Sequence, residues 1–113
     1  MTDFAERFED LRIWQQTRQL TNTVYENLAD CRDYAFRDQM QRAAVSIMNN
    51  IAEGFERRTS KDFGHFLDIA KGSCGEVRSM LYLAEDRKSD IANKMRAQAV
   101  GLSSGIAAFR RRL

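Results

Sequence analysis

The chain contains no proline, so no helix has to kink or stop for want of a backbone N–H. It has a single histidine, His65, around which no Ser/His/Asp arrangement can be assembled. The two cysteines, Cys31 and Cys74, are far apart, and neither they nor His65 show a local metal-ligand spacing. No metal and no cofactor are therefore expected. No apolar run approaches the roughly 18 residues of a membrane span. The opening MTDFAERFED carries acids and no apolar stretch of the kind a signal peptide needs. A cytoplasmic protein with reduced thiols and no membrane partner is the expectation. Six glycines are scattered rather than gathered into a linker, and no alternating strand pattern occurs.

What remains is an ordinary soluble composition, 43% hydrophobic and 30% charged, over a length of 113 residues that suits one domain, 1–113. Such a chain buries a core without covalent staples. The net charge of +2 is below that of a dedicated nucleic-acid binder, but its distribution is uneven. Arg57, Arg58 and Lys61 cluster mid-chain, and Arg110, Arg111 and Arg112 cluster near residue 113.

Periodicity predicts four helices, at about 10–29, 35–56, 60–85 and 89–112. In the first, Trp14, Thr17, Thr21, Val24, Tyr25 and Leu28 share a side, widened by Ile13 and Leu20. In the second, Met40, Ala44, Ile47, Ile51 and Gly54 form an apolar side whose small residues admit a close neighbour. Thr59 or Ser60 suits the N-cap of the third, with Asp62 in its first turn. Its main stripe runs Phe63, Phe66, Leu67, Ala70, Cys74, Val77, Leu81, Ala84. Gly72 and Gly75 interrupt it at up to about 1 kcal/mol each relative to Ala, an expense that close helix approach usually offsets. Ser89 or Asp90 suits the next cap, and Ile91, Met95, Gln98, Leu102, Ile106, Phe109 and Leu113 follow on a near-heptad seam. Short connections make neighbours antiparallel, so the expected fold is an all-α, up-down-up-down four-helix bundle. Ile69, Met80 and Leu83 form a second apolar stripe on the third helix, which calls for another subunit to cover it.

The run RAAVSIMNNIAEGFER at 42–57, followed two residues later by SKDFGHFLDIAKGSCGEV, resembles the signature of the 23S rRNA intervening sequence proteins. The opening FEDLRIWQQTRQLTNTVYE resembles that family's first helix. The resemblance implies a small bacterial four-helix bundle and implies no established enzymatic activity; a non-enzymatic role is the expectation. The similar accessory variability determinant of diversity-generating retroelements is a homopentameric barrel that binds nucleic acid and associates with a reverse transcriptase. By that likeness the expected partners are further copies of the chain in a ring of five, RNA or DNA, and a reverse transcriptase in a retroelement context.

Two sets of residues are candidates for function. A polar stripe of Arg42, Ser46, Asn50 and Glu53, with Gln39 at its start, runs beside the apolar side of the second helix. Ser73 and Glu76 stand at the same offset on the third helix and are its plausible partners. Half-buried groups of this kind are costly unless paired, so they read as inter-helix or inter-subunit hydrogen bonding, with a ligand site as the alternative. The basic clusters Arg57, Arg58, Lys61 and Arg110, Arg111, Arg112 fall at one pole of an up-down bundle. They read either as favourable charge at helix C-termini or, repeated around a ring, as a phosphate-binding surface. Arg58 and His65, six residues intervening, match the loose spacing of helical ribonucleases of the HEPN type, where Arg and His stabilise charge and move a proton. The competing functions are thus a non-enzymatic nucleic-acid-binding scaffold, a ribonuclease using Arg58 and His65, and a protein-interaction module.

Overall fold

Thr59 sits in extended backbone and its hydroxyl accepts the Asp62 N–H at 3.1 Å, so the chain turns at Arg57–Thr59 and starts a new helix at Ser60. Asp33 does the same for the preceding helix, accepting the Phe36 N–H at 3.2 Å. These side chains satisfy N–H groups that a helix start leaves without partners. The computed structural model describes residues 5–87 and 92–113. Within them lie a short 3-10 helix, Phe8–Asp10, and four α-helices: α1 (Arg12–Asn27), α2 (Tyr34–Phe55), α3 (Ser60–Asp86) and α4 (Ala92–Arg111). No strand occurs among the described residues. The caps expected at Ser89 or Asp90, and Ile91 of the expected seam, lie outside them.

The molecule measures 43 × 20 × 20 Å, about the length of the 27-residue α3 at 1.5 Å per residue. One continuous core contains Leu20 and Val24 from α1, Met40, Ile47 and Ile51 from α2, Leu67, Val77 and Leu81 from α3, and Met95, Leu102 and Ile106 from α4. Two threonines are buried with them. Thr17 donates to the Ile13 carbonyl at 2.7 Å and Thr21 to the Thr17 carbonyl at 2.8 Å, so neither hydroxyl is stranded.

Neighbouring helices are tied at several levels. Between α2 and α3, Gly54 lies against Phe66 and Phe63, and Ser46 meets Ser73 at 2.9 Å. Between α3 and α4, the rings of Phe63 and Phe109 pack at 5.5 Å, the Cys74 thiol donates to the Ala99 carbonyl at 3.2 Å, and Glu85 pairs with Arg96. At Gly54 an added Cβ would stand 2.7 Å from the Phe66 Cβ, which is the close approach the small residues of α2 foreshadow.

Several placements differ from the sequence reading. A Cβ on Gly72 or Gly75 would meet nothing within 4 Å, and both face outward, so neither serves a close approach inside the chain. Tyr25 turns out of the core and is 46% exposed, because the α1 face toward α2 and α4 is centred on Leu20 and Val24 instead. On α4, Ala99 is buried while Gln98, expected on the seam between Met95 and Leu102, is only half-buried, and Leu113 at the seam's end is 38% exposed. Of the second stripe on α3, Ile69 and Leu83 remain 40% and 45% exposed, but Met80 packs against the chain's own core.

Candidate nucleic-acid interface

The end of α2, the start of α3 and the end of α4 meet at one end of the molecule, around a cavity of about 470 Å³. Its apolar part is Ala5, Leu11, Phe55, Phe63, Phe109 and Leu113. Phe63 is the hub: it packs edge-on to Phe55 at 6.0 Å and tilted against Phe109 at 5.5 Å. Edge and tilted contacts of this kind suit the quadrupoles of the rings. Arg57, Arg58 and Arg112 line the same cavity and are exposed. Two residues on the turn at 57–59 and one beyond α4 thus converge although more than fifty residues separate them in sequence.

The six basic candidates are not equivalent. Arg57 forms an exposed 3.8 Å pair with Glu53, and its guanidinium stands 4.7 Å over the Phe66 ring. Arg112 stands 5.6 Å over Phe109. An exposed pair at that distance stabilises little and yields to a stronger anion. Arg110 is committed elsewhere: its Nε donates to Asp68 at 3.3 Å, and its side chain lies across Gly64. Lys61 and Arg111 are exposed and make no ion pair among the described residues. The pole therefore offers Arg57, Arg58 and Arg112 at the cavity, with Lys61 and Arg111 nearby in sequence, while Arg110 is part of the fold.

The polar stripe of α2 is spent largely on α3 and on itself. Asn50 donates to the Ser46 carbonyl at 2.8 Å and lies 3.1 Å from its hydroxyl, which in turn meets Ser73. Gln39 donates to Glu76 at 3.3 Å. Glu53 faces Arg57 just beyond the end of its own helix, and Arg42 is exposed beside Tyr25, Asp38 and Val45 on the side toward α1.

His65 is exposed, its ring edge-on to Phe66 at 5.7 Å, and it does not line the cavity that Arg58 lines. Cys74 is buried in the core, and burial pushes its thiol up to about 11, against lesser opposing effects of Arg78 and of the Ser103 backbone. Cys31 is half-buried and unbridged. No group of three or more His, Cys, Asp or Glu side chains is placed to hold a metal among the described residues, and no helix there is long and apolar enough to cross a membrane.

The aromatic lining of the pole is what the sequence reading missed. Its signal was present: Phe55 precedes the Arg57–Arg58 pair, and Phe109 precedes Arg110–Arg112. Aromatic side chains interleaved with basic ones mark surfaces that meet unpaired nucleotides.

Four helices around one core, with a cationic, aromatic-lined end, define a small all-helical bundle protein. The chain belongs to the 23S rRNA-intervening sequence protein family, whose family model matches residues 9–106. That match takes in all of α1, α2 and α3 and most of α4. No curated protein matches the chain as a relative.

Proposed function

We propose that this protein is a non-enzymatic, self-assembling scaffold that binds nucleic acid through its basic pole by contacts to phosphate. The observation that carries the reading is the convergence of Arg57, Arg58 and Arg112 on one cavity. Among the described residues only Arg57 of the three exposed guanidinium groups has a carboxylate partner, Glu53 at 3.8 Å. Contacts of this kind hold phosphate without reading sequence.

The whole is one domain, an antiparallel up-down-up-down bundle. The pairings of Phe63 with Phe109, Cys74 with Ala99 and Glu85 with Arg96 support that topology for α3 and α4. Those of Gly54 with Phe66 and Gln39 with Glu76 support it for α2 and α3. The assembly is a ring of five in the cytoplasm. Its support is the family together with the apolar surface that one chain leaves uncovered, Ile69, Tyr82 and Leu83 on α3 and Val100 on α4. Five copies of a three-arginine site turn weak single contacts into tight multivalent binding.

The test is anisotropy of labelled RNA of mixed sequence titrated with protein over a range of salt. Three phosphate contacts give a slope of log K against log salt of about −2 to −3 for each subunit engaged on one strand. Binding that ignores salt, or that survives Arg58→Ala with Arg112→Ala, refutes the reading. A reverse transcriptase is a further partner where the gene lies in a retroelement.

A further inference from the structure

We propose that the cavity at the basic pole is a site for an unpaired nucleotide: one base of a single strand enters against Phe55 and Phe109 while Arg57, Arg58 and Arg112 hold the phosphates beside it. The inference rests on the phosphate-binding reading and adds which form of nucleic acid is bound. A duplex presents only its backbone to a cationic surface, and a surface built for that alone needs no apolar recess. Here the three arginines surround one, with Leu11, Phe55, Phe63 and Phe109 inside it. Its volume of about 470 Å³ falls within the roughly 300–1,000 Å³ of small-molecule sites, ample for a base and its sugar.

The chemistry of the lining favours a flat, aromatic guest. Phe55 and Phe109 line the cavity and are only half-buried, whereas Phe63 is buried. Base stacking on such rings tolerates any sequence, because every base has a π-face. Arg112 already stands over Phe109 at 5.6 Å, and a guanidinium plane is itself a stacking partner for a base. The same arginine can therefore cover the base or contact its phosphate. An acidic peptide would satisfy the arginines but leave the aromatic recess unfilled.

The experiment compares a short single-stranded RNA with the same sequence as a duplex, by anisotropy with the intact protein at one salt concentration. A second single strand carries 2-aminopurine. The single strand is expected to bind at least about tenfold more tightly, with quenching of 2-aminopurine as it stacks. Phe109→Leu keeps an apolar side chain against the core and removes the ring; it is expected to weaken the single strand about 5- to 150-fold and the duplex far less, through the contact with Arg112 alone. Equal affinities, no quenching and an indifferent Phe109→Leu overturn the nucleotide site while leaving phosphate binding in place. Absence of binding by either form overturns both. Full displacement by polyglutamate, equal in wild type and Phe109→Leu, assigns the pole to polyanions in general and also overturns the proposal. The 2-aminopurine signal is read on the wild type, so the outcome does not depend on the variant folding.

Discussion

The side chain of Arg110 lies across the bare backbone of Gly64, so that a Cβ there would stand 2.6 Å from the guanidinium carbon. The contact lets Arg110 reach Asp68, one turn further along α3, at 3.3 Å. Gly64→Ala should push the arginine off this path, which is cheap because the far end of a flexible side chain moves. Alanine also recovers up to about 1 kcal/mol of helix propensity. The pair is exposed and adds at most about 1 kcal/mol. Net stability should therefore change by less than about 1 kcal/mol, but the coupling should vanish. Asp68→Asn ought to cost a measurable few tenths in wild type and nothing in Gly64→Ala, read by urea denaturation of the four proteins of the cycle.

Two kinds of helical glycine should respond oppositely to alanine. At Gly54 the obstacle is the Phe66 Cβ at 2.7 Å, an atom fixed to its backbone, so α2 and α3 must separate to admit a methyl. Gly54→Ala is expected to destabilise by about 1–3 kcal/mol, the usual expense of overpacking. Gly72 and Gly75 face open space. Gly72→Ala and Gly75→Ala should each stabilise the single subunit by up to about 1 kcal/mol, raising its melting temperature. A loss of assembly in either variant would locate the glycines in a contact between copies.

The cysteines should separate cleanly on alkylation. A thiol raised to about 11 is almost wholly protonated at pH 8, and only the thiolate reacts. Burial beneath α4 also bars the reagent, since the Cys74 sulfur donates to the Ala99 carbonyl. Iodoacetamide at pH 8 should label Cys31 alone, with Cys74 appearing in the mass spectrum only in denaturant. Because ionisation is disfavoured in the fold and easier in the unfolded chain, stability should hold below about pH 9 and decline as pH climbs toward 11.

Helix positions and core faces were legible because they depend on spacing within one segment. Leu67, Ala70, Cys74, Val77 and Leu81 fall on one side of a helix at any tertiary arrangement, and all are buried. The start of α3, expected at Thr59 or Ser60, was legible for the same reason, since Thr59 caps a residue only three further on. What depends on a neighbour was not. No spacing says that Gly64 receives Arg110 or that Gly72 receives nothing, because both are glycines in the same helix with the same intrinsic cost. Met80 and Ile69 belong to one stripe by period, yet Met80 packs on the core and Ile69 does not. The pole was half legible. Both basic clusters are plain in the sequence, but that Arg112 joins Arg57 and Arg58 around the phenylalanines, and that Arg110 is drawn away by Asp68, follows only from how α4 lies on α3.

The pole predicts an order of importance among its arginines. Arg110→Ala removes a side chain that does not line the cavity and lies across α3 toward Asp68, so it should weaken nucleic-acid binding less than twofold and shift the salt slope hardly at all. Arg58→Ala removes an exposed cation at the cavity and should weaken binding several-fold, with the slope reduced by about 0.7 on a single strand, one contact's share. Equal losses from the two substitutions would show that the charge of the pole acts as a diffuse cloud and that the cavity has no special part.

Assembly should depend on α3 positions that the single chain leaves uncovered. Phe66, Ile69, Ser73, Glu76, Met80 and Leu83 recur at alternating intervals of three and four, the spacing by which one helix presents a seam to another. Inside the chain, Ser73 and Glu76 at its centre are held by Ser46 and Gln39, whereas Ile69 and Leu83 stay open to solvent. Carboxylates at those two positions would be hydrated in a free subunit and stranded in a subunit contact, where an unpaired buried charge costs several kcal/mol. Ile69→Glu with Leu83→Glu should thus leave helicity intact and reduce the particle to the 13.1 kDa of one chain by light scattering, while wild type remains a multiple of it. A wild type that already scatters as 13.1 kDa would remove the ring, and with it the fivefold multiplication of the basic pole.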